Sequence, residues 1–217
     1  MFDGTWTTEI WTWRIMLFVS IIVSLSVHEF AHAKMADYLG DNTPRSQGRV
    51  TLNPLAHLDP IGFFGIVLMT FLGFGFGWGK PVEYNPLGNK KTTLRLGKFL
   101  VVAAGPFSNL VLAVVFGLLI RFGAFNFDPE FTLVFAKWFL RVNLGLMMFN
   151  LIPVPPLDGS KMILPLFPGR AAENMERNYM KWGFIPLAAL ILLGIPQWIL
   201  PAPIEAMRHF LTGLPAW

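Results

Sequence analysis

The sequence predicts an all-α polytopic membrane protein with about four to five transmembrane helices and one glycine-rich re-entrant element, for which a β-hairpin is one available form. Three observations predict it. Of its 217 residues, 54% are hydrophobic and only 14% charged, and the mean hydropathy of +0.53 lies outside the soluble range. Four long apolar stretches, Ile10 to about Ala36, Leu96 to Ile120, Phe131 to Ile152 and Phe184 to about Leu200, each match the roughly 20 helical residues that cross a hydrocarbon core. Finally, the cations are segregated: the segments 34–59, 77–98 and 160–181 hold twelve of the seventeen Lys and Arg, while the first thirteen residues hold none.

The N-terminal "MFDGTWTTEIWTW" lacks the basic start of a signal peptide and the apolar stretch behind it shows no small-residue cleavage site, so it reads as part of the mature chain. The first span runs inward from about Trp11 to Ala36. Between it and the second lies "IGFFGIVLMTFLGFGFGWG", Ile61 to Gly79, apolar but carrying six glycines bunched toward its second half. Glycine disfavours helix. If this stretch enters and leaves on one face, all three basic segments fall on the same side, as the positive-inside rule prefers, and its backbone must then be covered by protein or water.

The spans Leu96–Ile120 and Phe131–Ile152 follow, outward and back. The prolines 153, 155 and 156 end the latter, and a further outward crossing begins at Phe184. "PAPIEAMRHFLTGLPAW" reads as an interfacial helix. Residues 1–217 are thus expected to form a single membrane-embedded domain, with a core over about 11–160 and C-terminal helices over 183–214. There is no cysteine, so a metal must be held by His, Asp or Glu. The net charge of +4 comes from loop cations rather than a basic stripe with aromatics, which argues against nucleic acid.

The chemistry lies in "SVHEFAHAKM". His28 and His32 are one helical turn apart on one face and can ligate one ion, while Glu29 is close enough to take a proton from water at that ion. Incidental polar residues at a helix end are the plain alternative. Against it, a central charge in an apolar span costs about 2.5 to 3.5 kcal/mol on insertion scales unless paired or functional.

A catalytic zinc takes three protein ligands as a rule, and His57, Asp59, Glu83 and Asp158 are the candidates for the third. Depth favours Asp158. His28 is fourteen residues beyond Arg14 and Asp158 seventeen beyond Arg141, roughly 21 and 25 Å at helical rise, so both reach similar depth nearer the basic side. Helix N-capping is the structural alternative for Asp158.

These residues resemble the site-2 proteases, polytopic zinc metalloproteases that cleave transmembrane segments. "HEFAH" and "NLIPVPPLDG" fit the two family signatures, and "LGDNTPRSQGRVTLNPLAHLDPIG", "GWGKPVEYNP" and "AAGPFSNL" are similar to connecting segments of the compact prokaryotic branch, without the inserted PDZ-like or appended nucleotide-sensing domain of other relatives. The resemblance covers roughly residues 26–160. It implies one Zn2+ per chain held by His28, His32 and Asp158, with Glu29 as general base. It further implies Asn150 as a candidate for holding substrate backbone or the developing oxyanion, with Asn109 in a supporting part, although interhelical hydrogen bonding would also account for both asparagines. Gly105 and Pro106 read as shaping a helix start or close packing.

The expected activity is therefore intramembrane zinc endopeptidase action on a transmembrane protein or peptide, in regulated intramembrane proteolysis. The chain would sit in a lipid bilayer, a prokaryotic inner membrane, with its site nearer the cytoplasmic side. A divalent-metal transporter and a noncatalytic membrane binding protein are the alternatives; the lack of a second acidic cluster along another span counts against the first, and the intact Glu29 against the second. Oligomeric state is not readable.

Overall fold

The computed structural model describes residues 8–215; the readings of residues 1–7 and of the last two residues lie outside the described residues. Three helices carry the architecture: α1 (Thr8–Leu39), α4 (Leu94–Arg121) and α5 (Thr132–Asn150). All three are long and apolar enough to cross a membrane. They pack mutually, α4 against α1 and α5, and α1 against α5.

Their inner faces are built from small and polar residues. Ser20, Ser24 and Ala33 of α1, Asn109 and Ala113 of α4, and Ala136 and Asn143 of α5 are wholly buried, while Ile15, Val19 and Val23 of α1 and Phe107, Val111 and Val115 of α4 point outward. Both outward rows advance by four residues, one helical turn. This is the arrangement expected of helices that associate in lipid through close backbone approach and hydrogen bonds, with apolar side chains facing the solvent they match.

Short elements complete the order: α2 (Thr43–Ser46), α3 (Pro60–Val67), α6 (Asp158–Met162), α7 (Gly169–Trp182), α8 (Ile185–Leu192), α9 (Ile195–Ile199) and α10 (Pro201–Thr212). The stretch Phe184–Leu200 is therefore two short helices rather than one continuous span. Gly194 between them is left-handed at φ 69°, and Pro196 beyond it removes a helical donor. Against the bundle, α10 packs on α4 and α5, burying Leu211 with Ala113, Ile120, Ala136, Leu140 and Leu144.

The Ile61–Gly79 stretch is a hairpin, but not a β-hairpin. Asp59 caps its first limb, accepting from Ile61 N at 3.1 Å and Gly62 N at 2.8 Å; helix α3 continues through a π-helical turn, Leu68–Leu72, to a left-handed Gly73. The chain then returns extended along the helix. Among the described residues no strand forms, and one isolated antiparallel bridge joins Leu58 to Gly79. Glycine is required where the limbs touch: a Cβ on Gly77 would stand 2.5 Å from Ile66 N and 2.7 Å from Gly62 O. Replacing Gly77 by Ala is expected to part the limbs at a cost of about 1–3 kcal/mol. Faster proteolytic nicking between residues 73 and 80, with a lower melting temperature in detergent, would show it; unchanged behaviour in both would contradict the packing.

Beyond the hairpin, which ends beside Leu25 of α1, the chain runs on to the C-terminal end of α1. Lys90 N donates to Leu39 O at 2.9 Å, Asp41 accepts from Thr43 N at 2.9 Å and Asn85 N at 2.6 Å, and Lys98 pairs with Glu176 of α7 at 3.1 Å. The three cation-bearing segments thus meet at one end of the bundle.

Candidate metal centre

The i, i+4 spacing places His28 and His32 on the buried face of α1, against α4 and the turn that follows α5. That turn begins where α5 stops at Asn150, and Asp158 opens α6. Gly159 allows it: a Cβ there would lie 2.5 Å from the Leu151 carbonyl carbon and 2.7 Å from Ile152 O. Leu157, not Asp158, stands at the N-cap of α6. The Asp158 side chain reaches the histidines instead, with Oδ2 3.1 Å from His28 Nε2 and 3.3 Å from His32 Nε2.

The other ring nitrogens define what these atoms can do. His32 Nδ1 donates to the Val101 carbonyl at 2.7 Å, and a carbonyl can only accept. His28 Nδ1 faces Asn109 Oδ1 at 2.7 Å; the Asn109 amide nitrogen is committed to Ser24 O at 3.2 Å, so its oxygen faces the ring and His28 Nδ1 donates. In the neutral rings both Nε2 atoms are then bare acceptors, 3.1 Å apart and facing a carboxylate oxygen. With both rings neutral, three lone pairs converge, an arrangement that repels unless a proton or a metal ion fills it.

The spacing fits a cation of known size. Ligands about 2.0–2.1 Å from zinc stand about 3.3–3.4 Å apart in a tetrahedron, and the three atoms here are separated by 3.1 to 3.3 Å. Among the described residues this is the one group of His, Cys, Asp or Glu arranged to hold a metal ion.

The other third-ligand candidates go elsewhere. His57 is wholly buried, its Nε2 2.7 Å from Thr51 O, and burial lowers its pKa, keeping the ring neutral. Asp59 caps α3, and Glu83 accepts from Gln47 at 3.1 Å on the exposed surface.

The centre opens into a cavity of about 610 Å³ whose walls include Glu29, Ile66, Trp78, Tyr84, Phe149 and Asn150. Asn150 stands at the last turn of α5, its amide nitrogen bonded to Leu146 O at 3.0 Å within the same helix rather than across helices. Asn109 is wholly buried behind His28 and lines no part of the cavity, so it touches the ring and not a bound molecule. One residue of the site, Asn143, escapes the sequence reading, and Gly105 bears out the close-packing half of its own. Gly105 lies inside α4, not at a helix start, and a Cβ there would overlap His32 Nε2 and stand 2.7 Å from His28 Cε1. Asn143 is wholly buried on α5 and accepts from the Asn109 amide at 2.9 Å; a polar residue midway along an apolar span was its only signal.

No protein-family model matches the chain, and no solved structure matches it. Named relatives do. The chain is 39% identical over 205 residues to the "Putative zinc metalloprotease YwhC" of Bacillus subtilis, covering 91% of this chain and 90% of that one. It is 33% identical over 183 residues to the "Putative zinc metalloprotease Rip2" of Mycolicibacterium smegmatis, covering 82% and 67%, and 31% identical over 153 residues to the Mycobacterium tuberculosis protein of the same name, covering 70% and 57%. With that likeness running along nearly the whole length of the first of them, this chain belongs to the site-2 protease-like family of zinc metalloproteases.

Proposed function

We propose that this chain is an intramembrane zinc endopeptidase that hydrolyses peptide bonds in or near transmembrane segments of membrane proteins, in regulated intramembrane proteolysis. The observation that carries the reading is the convergence of His28 Nε2, His32 Nε2 and Asp158 Oδ2 beside Glu29 on the wall of a largely apolar cavity. His28, His32 and Asp158 would hold the zinc, which when bound would supply Lewis-acid polarisation of a peptide carbonyl and a water of lowered pKa, toward about 7. Glu29 takes a proton from the attacking water and delivers it to the leaving amine. Asn150 offers its amide to substrate backbone or to the developing oxyanion.

A substrate helix hides its amides in its own hydrogen bonds, so the bound segment is locally unwound. The extended chain through Gly79, Pro81 and Val82 lines the same cavity, and β-addition along it would hold such a segment. Helix-breaking substitutions in a substrate are then expected to speed cleavage.

The domain is a single membrane unit of the compact branch, crossing through α1, α4, α5 and the broken α8 and α9, with α3 and its returning limb re-entrant. The membrane is a prokaryotic inner membrane. Meeting of the basic segments at one bundle end supports a cytoplasmic orientation of that end, and the two histidines lie in the half of α1 nearer to it.

Metal content per chain of the purified protein tests the reading without a known substrate. About one zinc per chain is expected in the wild type, lost in His28→Ala and Asp158→Ala and kept in His57→Ala. Zinc that is absent from the wild type, or that follows His57, would overturn it.

A further inference from the structure

Asn143 makes no contact with the histidines, yet its surroundings fix the state of one of them. Its amide nitrogen lies 2.8 Å from the Phe139 carbonyl and 2.8 Å from Ser24 Oγ. The Phe139 oxygen can only accept, so the opposite orientation of the amide would set two oxygens against each other. Asn143 Oδ1 therefore faces Asn109, 2.9 Å from its Nδ2. The Asn109 amide is in turn locked, because reversing it would oppose its oxygen to both Asn143 Oδ1 and Ser24 O. Its own Oδ1 is left for His28 Nδ1 at 2.7 Å. Every member of this chain is buried, so no solvent competes for these bonds.

From this we infer that Asn143 is a positioning residue for the metal centre: acting through Asn109, it holds His28 as the tautomer protonated at Nδ1, with Nε2 bare toward His32 and Asp158. The inference rests on the zinc reading above. Histidine ligands take their tautomer from the bond their second nitrogen makes; here that bond is relayed across three helices, from α5 through α4 to α1. Loss of Asn143 removes the shorter of the two bonds that hold the Asn109 amide, 2.9 Å against 3.2 Å, and leaves Ser24 O alone to oppose its reversal. A reversed amide presents N–H to His28 and selects the tautomer protonated at Nε2, which cannot bind a metal through that atom.

The test uses the full chain in detergent with Asn143→Leu, similar in size and without polar atoms, and Ser24→Ala, which leaves the Phe139 carbonyl in place. Two quantities are read: the His28 ring tautomer from nitrogen chemical shifts of the chelator-treated protein, and zinc affinity by chelator competition. The inference expects wild type and Ser24→Ala to show the Nδ1-protonated ring, and Asn143→Leu to show a mixture with zinc affinity lowered about tenfold or more, in the range of outer-shell changes at metal sites. A single Nδ1-protonated ring and unchanged affinity in Asn143→Leu overturn it. If that variant does not fold, Asn143→Ala, which also removes the acceptor from Asn109 without adding an oxygen against the Phe139 carbonyl, decides by the same two readings: a mixture with lowered affinity supports the relay, and a single Nδ1-protonated ring with unchanged affinity overturns it. A wild-type chain that binds no zinc would sink the hydrolase reading, while the tautomer comparison would still decide the relay.

Discussion

Glu29→Gln is expected to lower peptide hydrolysis by about 10²–10⁴-fold, the usual contribution of a positioned acid–base group, while zinc stays bound. The two halves of that expectation have separate causes. Glu29 lies on the cavity wall and is 8% exposed, whereas the three atoms that converge on a metal belong to His28, His32 and Asp158. Glutamine keeps the length and the hydrogen-bonding reach of the side chain but cannot accept a proton at neutral pH, so binding survives and proton transfer does not. The measurement pairs zinc content with cleavage of a membrane-inserted peptide. Loss of zinc in this variant would make Glu29 part of the metal site, and full activity would assign the base elsewhere.

The sequence shows this centre because its key spacing is local. A separation of four residues on a helix fixes a shared face without any knowledge of the rest of the fold, and the prolines before Asp158 announce a break at matching depth. For Gly105 the sequence offers close packing without a partner, and for Asn143 it offers nothing more than polarity, because their partners exist only once α4 and α5 are laid against α1. The same holds for the glycine-rich stretch: its glycines argue against helix by propensity, yet Gly62 and Gly65 sit inside α3, where their missing side chains let the returning backbone lie on the helix. Tertiary packing overrode propensity there. The broken span at 184–200 is a different case, since the Gly194–Ile195–Pro196 sequence carries the glycine and proline that stop helices.

Gly105→Ala separates packing from propensity most sharply. On propensity alone the change should stabilise α4, by about 1 kcal/mol for a glycine in a helix interior. The site predicts the reverse. The added methyl would overlap His32 Nε2 and stand 2.5 Å from its Cε1 and 2.7 Å from His28 Cε1. Neither ring can turn aside cheaply, because each is tied from behind, His32 to Val101 O and His28 to Asn109, both at 2.7 Å. The methyl therefore displaces the ligand atoms themselves or breaks the bonds that set their tautomers. Zinc affinity is expected to fall by at least the 10–100-fold typical of losing an outer-shell partner, and the strain of overpacking, about 1–3 kcal/mol, should outweigh the propensity gain. Chelator competition and thermal unfolding of the same preparation read both effects. A variant that melts higher and binds zinc as the wild type does would mean that Gly105 is not what lets α4 approach the two imidazoles.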